Sequence, residues 1–106
     1  MNDAEFHRLA TETLRQIEHA IETCGVDIDF ENVSDILTLE FTNGSKIIIN
    51  KQGAAHQLWV AARSGGFHYR YDTASHTWRN EQNQAEMMTE LTQLVSAQAG
   101  EPVSLA

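Results

Sequence analysis

A chain of 106 residues, 42% hydrophobic and 21% charged, is long enough to bury one modest core and short for two. Its net charge of −8 disfavours nucleic acid and anionic membrane surfaces and favours cations or a basic protein surface. No apolar run approaches the roughly 20 residues of a membrane helix.

The acidic start MNDAEFHR is unlike a secretory or transit peptide. A lone Cys24 suits a reducing cytosol better than a disulfide framework, so a cytoplasmic protein is expected. The charge is unevenly placed. Residues 1–42 carry ten carboxylates against Arg8 and Arg15, whereas residues 43–106 balance five acids with five bases. Solubility alone would also account for that excess.

The first predicted element is a helix from about Asn2 to Thr23. Phe6, Leu9, Ala10, Thr13, Ile17, Ala20, Ile21 and Cys24 recur at intervals of three and four, which makes one apolar stripe. Asn2 or Asp3 can cap its start and Gly25 can end it. Cys24 closes the stripe and is expected to be a buried, inert thiol.

A strand follows in VDIDFE, residues 26–31, with Val26, Ile28 and Phe30 on one face and Asp27, Asp29 and Glu31 on the other. ILTLEF (36–41) and KIIIN (46–50) flank TNGS and predict a hairpin. A three-residue loop with Gly44 left-handed sets Leu39 opposite Ile47 and Leu37 opposite Ile49. That register gathers the apolar residues on one face and turns Lys46, Ile48 and Asn50 outward. Strands at 57–63, at 67–71 and around Trp78 come next, with turns at SGG and DTAS. The last element is a helix from roughly Gln84 to Gln98, with Met87, Met88, Leu91, Leu94 and Val95 as its buried stripe and Gly100 and Pro102 beyond it. Leu105 can tuck against the helices.

The expected fold is therefore α+β. It is a two-layer sandwich in which N- and C-terminal helices pack on one face of a five- to six-stranded antiparallel sheet, a single domain over 1–106 with 98–106 as a tail.

Two constellations stand out. Asp3, His7, Glu18 and Glu22 fall along one flank of the first helix, and the following strand adds Asp27, Asp29 and Glu31. Carboxylates are hard oxygen donors whose mutual repulsion a divalent or trivalent cation relieves. No tight-site motif accompanies them, so binding there is expected to be weak and exposed; a solvated helix face beside a charge-protected edge strand is the other reading. The second set is Asn50, Gln52, Gln57 and Trp59 on the face that no helix covers. An indole among amides suits a protein interface, although scattered exposed apolar residues are common. His7, His19, His56, His68 and His76 have no catalytic spacing with Ser or Cys, and no phosphate-binding Gly loop is present. An enzyme is not expected.

EFHRLA at the start, FTNGSKIIINKQ at 41–52, HQLWVAARSGG at 56–66 and the FHY that follows resemble the frataxin family, most closely its bacterial CyaY-type branch. The likeness runs over nearly the whole chain, including the order helix, meander, helix. It implies a frataxin-like fold and weak surface binding of Fe²⁺ and Fe³⁺, and of other divalent cations, by an acidic ridge. By position that ridge is Asp3, His7, Glu18, Glu22, Asp27, Asp29 and Glu31.

The resemblance further implies a monomer, in the absence of iron, that docks on a cysteine desulfurase–scaffold complex through Asn50, Gln52, Gln57 and Trp59. There it would act as an iron-responsive inhibitor of iron–sulfur cluster assembly. An oligomerising iron-storage or ferroxidase protein, an iron donor and a plain acidic adaptor remain the alternatives. Against the family pattern, His19 and Thr23 replace carboxylates, so the ridge is thinner. QGAAH lacks the usual proline, which predicts a more mobile loop, and Arg70 stands where an acid is common.

Overall fold

The computed structural model describes residues 1–105. Helix α1 spans Asp3–Thr23, and its N-cap Asn2 accepts a hydrogen bond from the Glu5 amide. Phe6, Ala10, Leu14, Ile17 and Ile21 are buried along it; Leu14 widens the stripe read from the sequence. Beyond the last turn Gly25 adopts φ +81°, a conformation that glycine reaches without steric penalty. Cys24 is half-buried rather than buried, and its thiol faces the Val26 carbonyl at 3.7 Å.

Six strands follow: β1 (Ile28–Val33), β2 (Ile36–Phe41), β3 (Lys46–Gln52), β4 (Gln57–Ala62), β5 (Gly65–Asp72) and β6 (Thr77–Asn80). They pair antiparallel in chain order, so β1 and β6 are the edges. The β2–β3 register sets Leu39 opposite Ile47 and Leu37 opposite Ile49, with Gly44 at φ +84°, as parity required.

β1 begins two residues later than expected and runs to Val33, because Val26 and Asp27 complete the turn from α1 and the ladder with β2 continues to Val33–Ile36. Ser34 and Asp35 then turn the chain with both φ values positive, as a two-residue type I′ hairpin demands. Gly65 and Gly66, read as turn residues, pair with Ala62 and Ala61 and belong to β5.

Helix α2 occupies Met87–Ala99 rather than starting near Gln84. Gln84 has φ +62°, which is incompatible with a helix, and the Glu86 carboxylate caps the Met88 and Thr89 amides. Gly100 ends it in the left-handed conformation.

Both helices cover one face of the sheet. There Leu37, Leu39, Ile47, Ile49, Leu58, Val60 and Tyr69 meet the apolar sides of α1 and α2. Polar atoms inside this layer are paired. The Trp78 indole donates to Thr13 Oγ1 at 2.8 Å, and the buried Tyr69 hydroxyl donates to Glu90 at 2.6 Å. Gln98 takes Arg63 N–H and gives its own amide hydrogens to Ser45 and the Lys46 carbonyl, so the end of α2 is tied to two hairpin loops. Val103 and Leu105 of the tail are buried against this layer, and Val103 is fastened to Ser96 through its N–H and C=O. Among the described residues no helix is long and apolar enough to cross a membrane.

Candidate functional site

The carboxylates singled out in the sequence lie along the rim formed by α1 and the edge strand β1. Ile28, Phe30 and Asn32 of β1 turn toward the helix layer, and Asn32 donates to Glu18 Oε2 at 2.8 Å, linking α1 to β1. Asp29 and Glu31 alternate with them, so they stand on the open side of the same edge; Asp27 precedes the strand. The rim thus carries acids on both sides of β1, not on one face. Glu22, Asp27, Asp29 and Glu31 are exposed, and Glu18 is half-buried.

Among the described residues no three His, Cys, Asp or Glu side chains converge closely enough to hold a metal ion. What the donors offer is a hard, hydrated and negative surface, whose chemistry favours small hard cations in general.

At the N-terminal end of the rim the chemistry changes. Asp3 meets His56, with Nε2 2.6 Å from Oδ1, and the His56 ring stacks on Phe6 at 5.2 Å. The loop that lacks the expected proline is therefore tied directly to α1. Asp3, His7 and His56 share an open hollow of about 640 Å³ with Asp35 and Lys51.

Lys51 sits between Asn50 and Gln52 in β3, so its side chain runs to the helix-covered side, where only 6% of it is exposed. Its ammonium bonds Thr11 Oγ1 at 2.8 Å and pairs with Asp35 at 3.0 Å. With Asp35 paired to Lys51 and Asp3 in contact with His56, this end of the rim is less negative than the exposed stretch that carries Glu22, Asp27, Asp29 and Glu31. Neither His56 nor Lys51 was singled out as a site residue. The strict alternation of the NKQ run was the available signal for Lys51.

The open face holds the second set. The β3–β4 register pairs Asn50 with Trp59 and Gln52 with Gln57, so all four side chains lie on the expected side, and Asn50, Gln52 and Trp59 are half-buried. Gln57 differs from the expectation of a free contact. It is 4% exposed: its Oε1 accepts the Trp59 indole N–H at 2.7 Å, and its Nε2 donates to Glu81 at 3.2 Å.

Trp59 also stacks on His68, the residue opposite it in β5, at 4.3 Å with the planes 11° apart. Glu81 gathers this cluster, with Arg70 at 3.7 Å and His68 at 3.9 Å. The indole is thus a fixed plate. His68 and Glu81 were missed because their contribution depends on strand pairing and on the chain's return after β6, which no local spacing reveals.

A six-stranded antiparallel sheet under two terminal helices, with carboxylates along one edge and an indole set in the uncovered face, defines a two-layer α+β module whose distinguishing features lie on its surface. The model of the frataxin-like domain matches residues 1–101. The chain belongs to this family. It is 47% identical over 106 residues to the iron-sulfur cluster assembly protein CyaY of Dechloromonas aromatica (strain RCB), with 99% of each chain covered. To the iron-sulfur cluster assembly protein CyaY of Pseudomonas aeruginosa it is 43% identical over 103 residues, covering 97% of this chain and 95% of the other. Among solved structures, frataxin from Psychromonas ingrahamii superposes with a TM-score of 0.91 at 38% identity, over 100% of this chain and 99% of that one. Yeast frataxin, with a TM-score of 0.65 at 24% identity over 88% and 79% of the two chains, shares the fold.

Proposed function

We propose that this protein takes part in iron–sulfur cluster assembly as a cytoplasmic, non-enzymatic, iron-binding regulator. It docks on a cysteine desulfurase–scaffold complex and slows cluster synthesis as iron rises. The observation that carries this reading is the pairing of two surfaces on one rigid sheet. An exposed acidic rim supplies charge for iron and for a basic partner, and beside it stands an indole held in place on an uncovered face. The names of the bacterial relatives, iron-sulfur cluster assembly proteins along nearly their whole length, support the general role.

The attraction is mainly electrostatic, so affinity for the desulfurase falls as salt rises from low to physiological ionic strength. Charge reversal is best placed at Glu22, Asp29 and Glu31, which are exposed; Glu18 is less suitable because it holds Asn32. The deciding experiment is cluster formation on the scaffold, with and without this protein, across iron concentrations. Inhibition that deepens with iron and vanishes in the charge-reversed variant is expected. An unchanged rate at every iron concentration would overturn the proposal, and oxygen-consuming turnover of Fe²⁺ would favour an iron-oxidising protein instead.

A further inference from the structure

A second depression lies beside the hollow at the N-terminal end of the rim, and its chemistry is not that of the rim. His7, Thr11, Arg15 and Glu18 recur at helical spacing, so they stand above one another on one stripe of α1. Facing them are Asp35, in the turn between β1 and β2, and Lys51 of β3. Between the two runs a polar trough of about 380 Å³, whose walls include Thr11, Arg15, Glu18, Asn32, Asp35 and Lys51. It shares His7, Asp35 and Lys51 with the hollow.

Both acids of the trough are engaged. Asp35 pairs with Lys51 at 3.0 Å, and Glu18 accepts a hydrogen bond from Asn32 at 2.8 Å. The donors are not used up. Lys51 gives two N–H groups, to Thr11 Oγ1 and to Asp35, and an ammonium has a third. Thr11 accepts the Lys51 bond and keeps its own hydroxyl hydrogen. Arg15 enters none of the ion pairs among the described residues, although its guanidinium is a planar fork of N–H donors. A cation placed here would meet Lys51 and Arg15. An oxyanion would meet a fork able to take two oxygens, with an ammonium and a hydroxyl one helical turn away. Arg15 and Lys51 balance Asp35 and Glu18, and the chain as a whole is at −8. Long-range attraction is therefore absent, which favours a small anion held by contact over a nucleic acid or an anionic membrane.

We infer that the trough is a weak binding site for the carboxylate or phosphate oxyanion of a small metabolite, held by Arg15, Thr11 and Lys51. The Arg15 fork takes two of its oxygens. The third Lys51 N–H and the Thr11 hydroxyl take what remains. This site stands apart from the proposed function, since it asks nothing of iron or of the desulfurase.

The test titrates the full-length, metal-free protein with inorganic phosphate and, separately, with citrate, at ionic strength held constant by sodium chloride. Backbone amide and arginine Nε–H NMR signals are followed. Saturable shifts at Thr11, Arg15 and Lys51, with a midpoint of about 1–10 mM for at least one probe, are expected. The tighter probe tells phosphate from carboxylate. Shifts that never saturate, or that are equal at Arg63, Arg70 and Arg79, would overturn the inference.

Variants then separate the site from bulk charge. Arg15→Gln is compared with Arg8→Gln, which removes the same charge from α1 outside the trough, where Arg8 pairs with Glu12 at 3.4 Å. Arg15→Gln is expected to weaken the anion about tenfold and Thr11→Val about threefold, with Arg8→Gln within about 1.5-fold of wild type. Equal losses in the two arginine variants would reduce the effect to net charge and refute the site. Lys51→Met, checked by melting temperature, is expected to abolish saturable binding. Both arginines are exposed, so their comparison decides the matter even if Lys51→Met does not fold.

Discussion

Ile47, Ile48 and Ile49 are identical, consecutive and in one strand, yet the first and third are 0% exposed and the second 37%. The difference lies only in which side of the sheet carries helices. On the covered side, an isoleucine is enclosed by α1, α2 and its strand neighbours, so it contributes to stability. On the open side the same residue contacts solvent and adds little to the core. In this fold the strand pattern separates packed from solvent-facing side chains one residue at a time.

The largest expected effect is at the covered side. Ile49→Ala is expected to cost about 3–4 kcal/mol in urea unfolding, as a buried truncation that leaves a cavity, whereas Ile48→Ala should stay within about 0.5 kcal/mol. Similar losses in both would mean that the open face is covered in solution. Leu105 tests whether the tail belongs to the covered layer. It is 3% exposed, and Leu105→Ala should cost about 2–3 kcal/mol by the same measurement.

Polar contacts on the two sides carry smaller energies. Tyr69→Phe removes a buried hydroxyl bonded to Glu90 and should cost about 1.5–2 kcal/mol, a charge-assisted hydrogen bond lost from the covered side. Burial, together with the Glu90 carboxylate beside it, holds the Tyr69 hydroxyl far above the ordinary tyrosine range, so no tyrosinate signal from this residue is expected in an alkaline titration of the folded protein. Trp59→Ala, on the open side, forfeits the stack on His68 and should lower stability by only about 1 kcal/mol.

The smallest effect is confined to acid. Burial pushes the Glu90 carboxyl up, but hydrogen bonds from Asn80, Tyr69 and Asn83 outweigh it and hold the group below its ordinary 4.5. A carboxylate lowered on folding contributes stability that is present above its unfolded pKa and lost as pH falls through the folded one. Wild type should therefore lose stability more steeply below pH 4.5 than Glu90→Gln, read as the slope of the urea midpoint against pH. Parallel slopes would place the acid sensitivity elsewhere.

Much of this was legible in the chain. Alternation in ILTLEF and KIIIN, with one glycine able to turn left-handed, left a single register that put Leu37, Leu39, Ile47 and Ile49 together, and the observed ladder has that register. The spacing of Phe6, Ala10, Ile17 and Ile21 was enough for α1, and the excess of acid in residues 1–42 foretold a negative rim. The start of α2 was misjudged because Gln84 carries ordinary helix propensity; what excludes it is the backbone path out of β6. Gln57 and Lys51 were less readable still. Parity states which side a residue faces but not whether neighbouring strands close over it.

By itself the sequence determined the periodicities, the turns and the sign of the charge, because these follow from backbone geometry and from side chains a few residues apart. Only the tertiary structure decided that Gln57 is buried under a bonded indole. It also decided that Lys51 is paired beneath α1 and that the acids straddle an edge strand. Each of those depends on contacts between strands brought together from distant parts of the chain, and such contacts exist only once the sheet has closed its register and the helices have chosen a face.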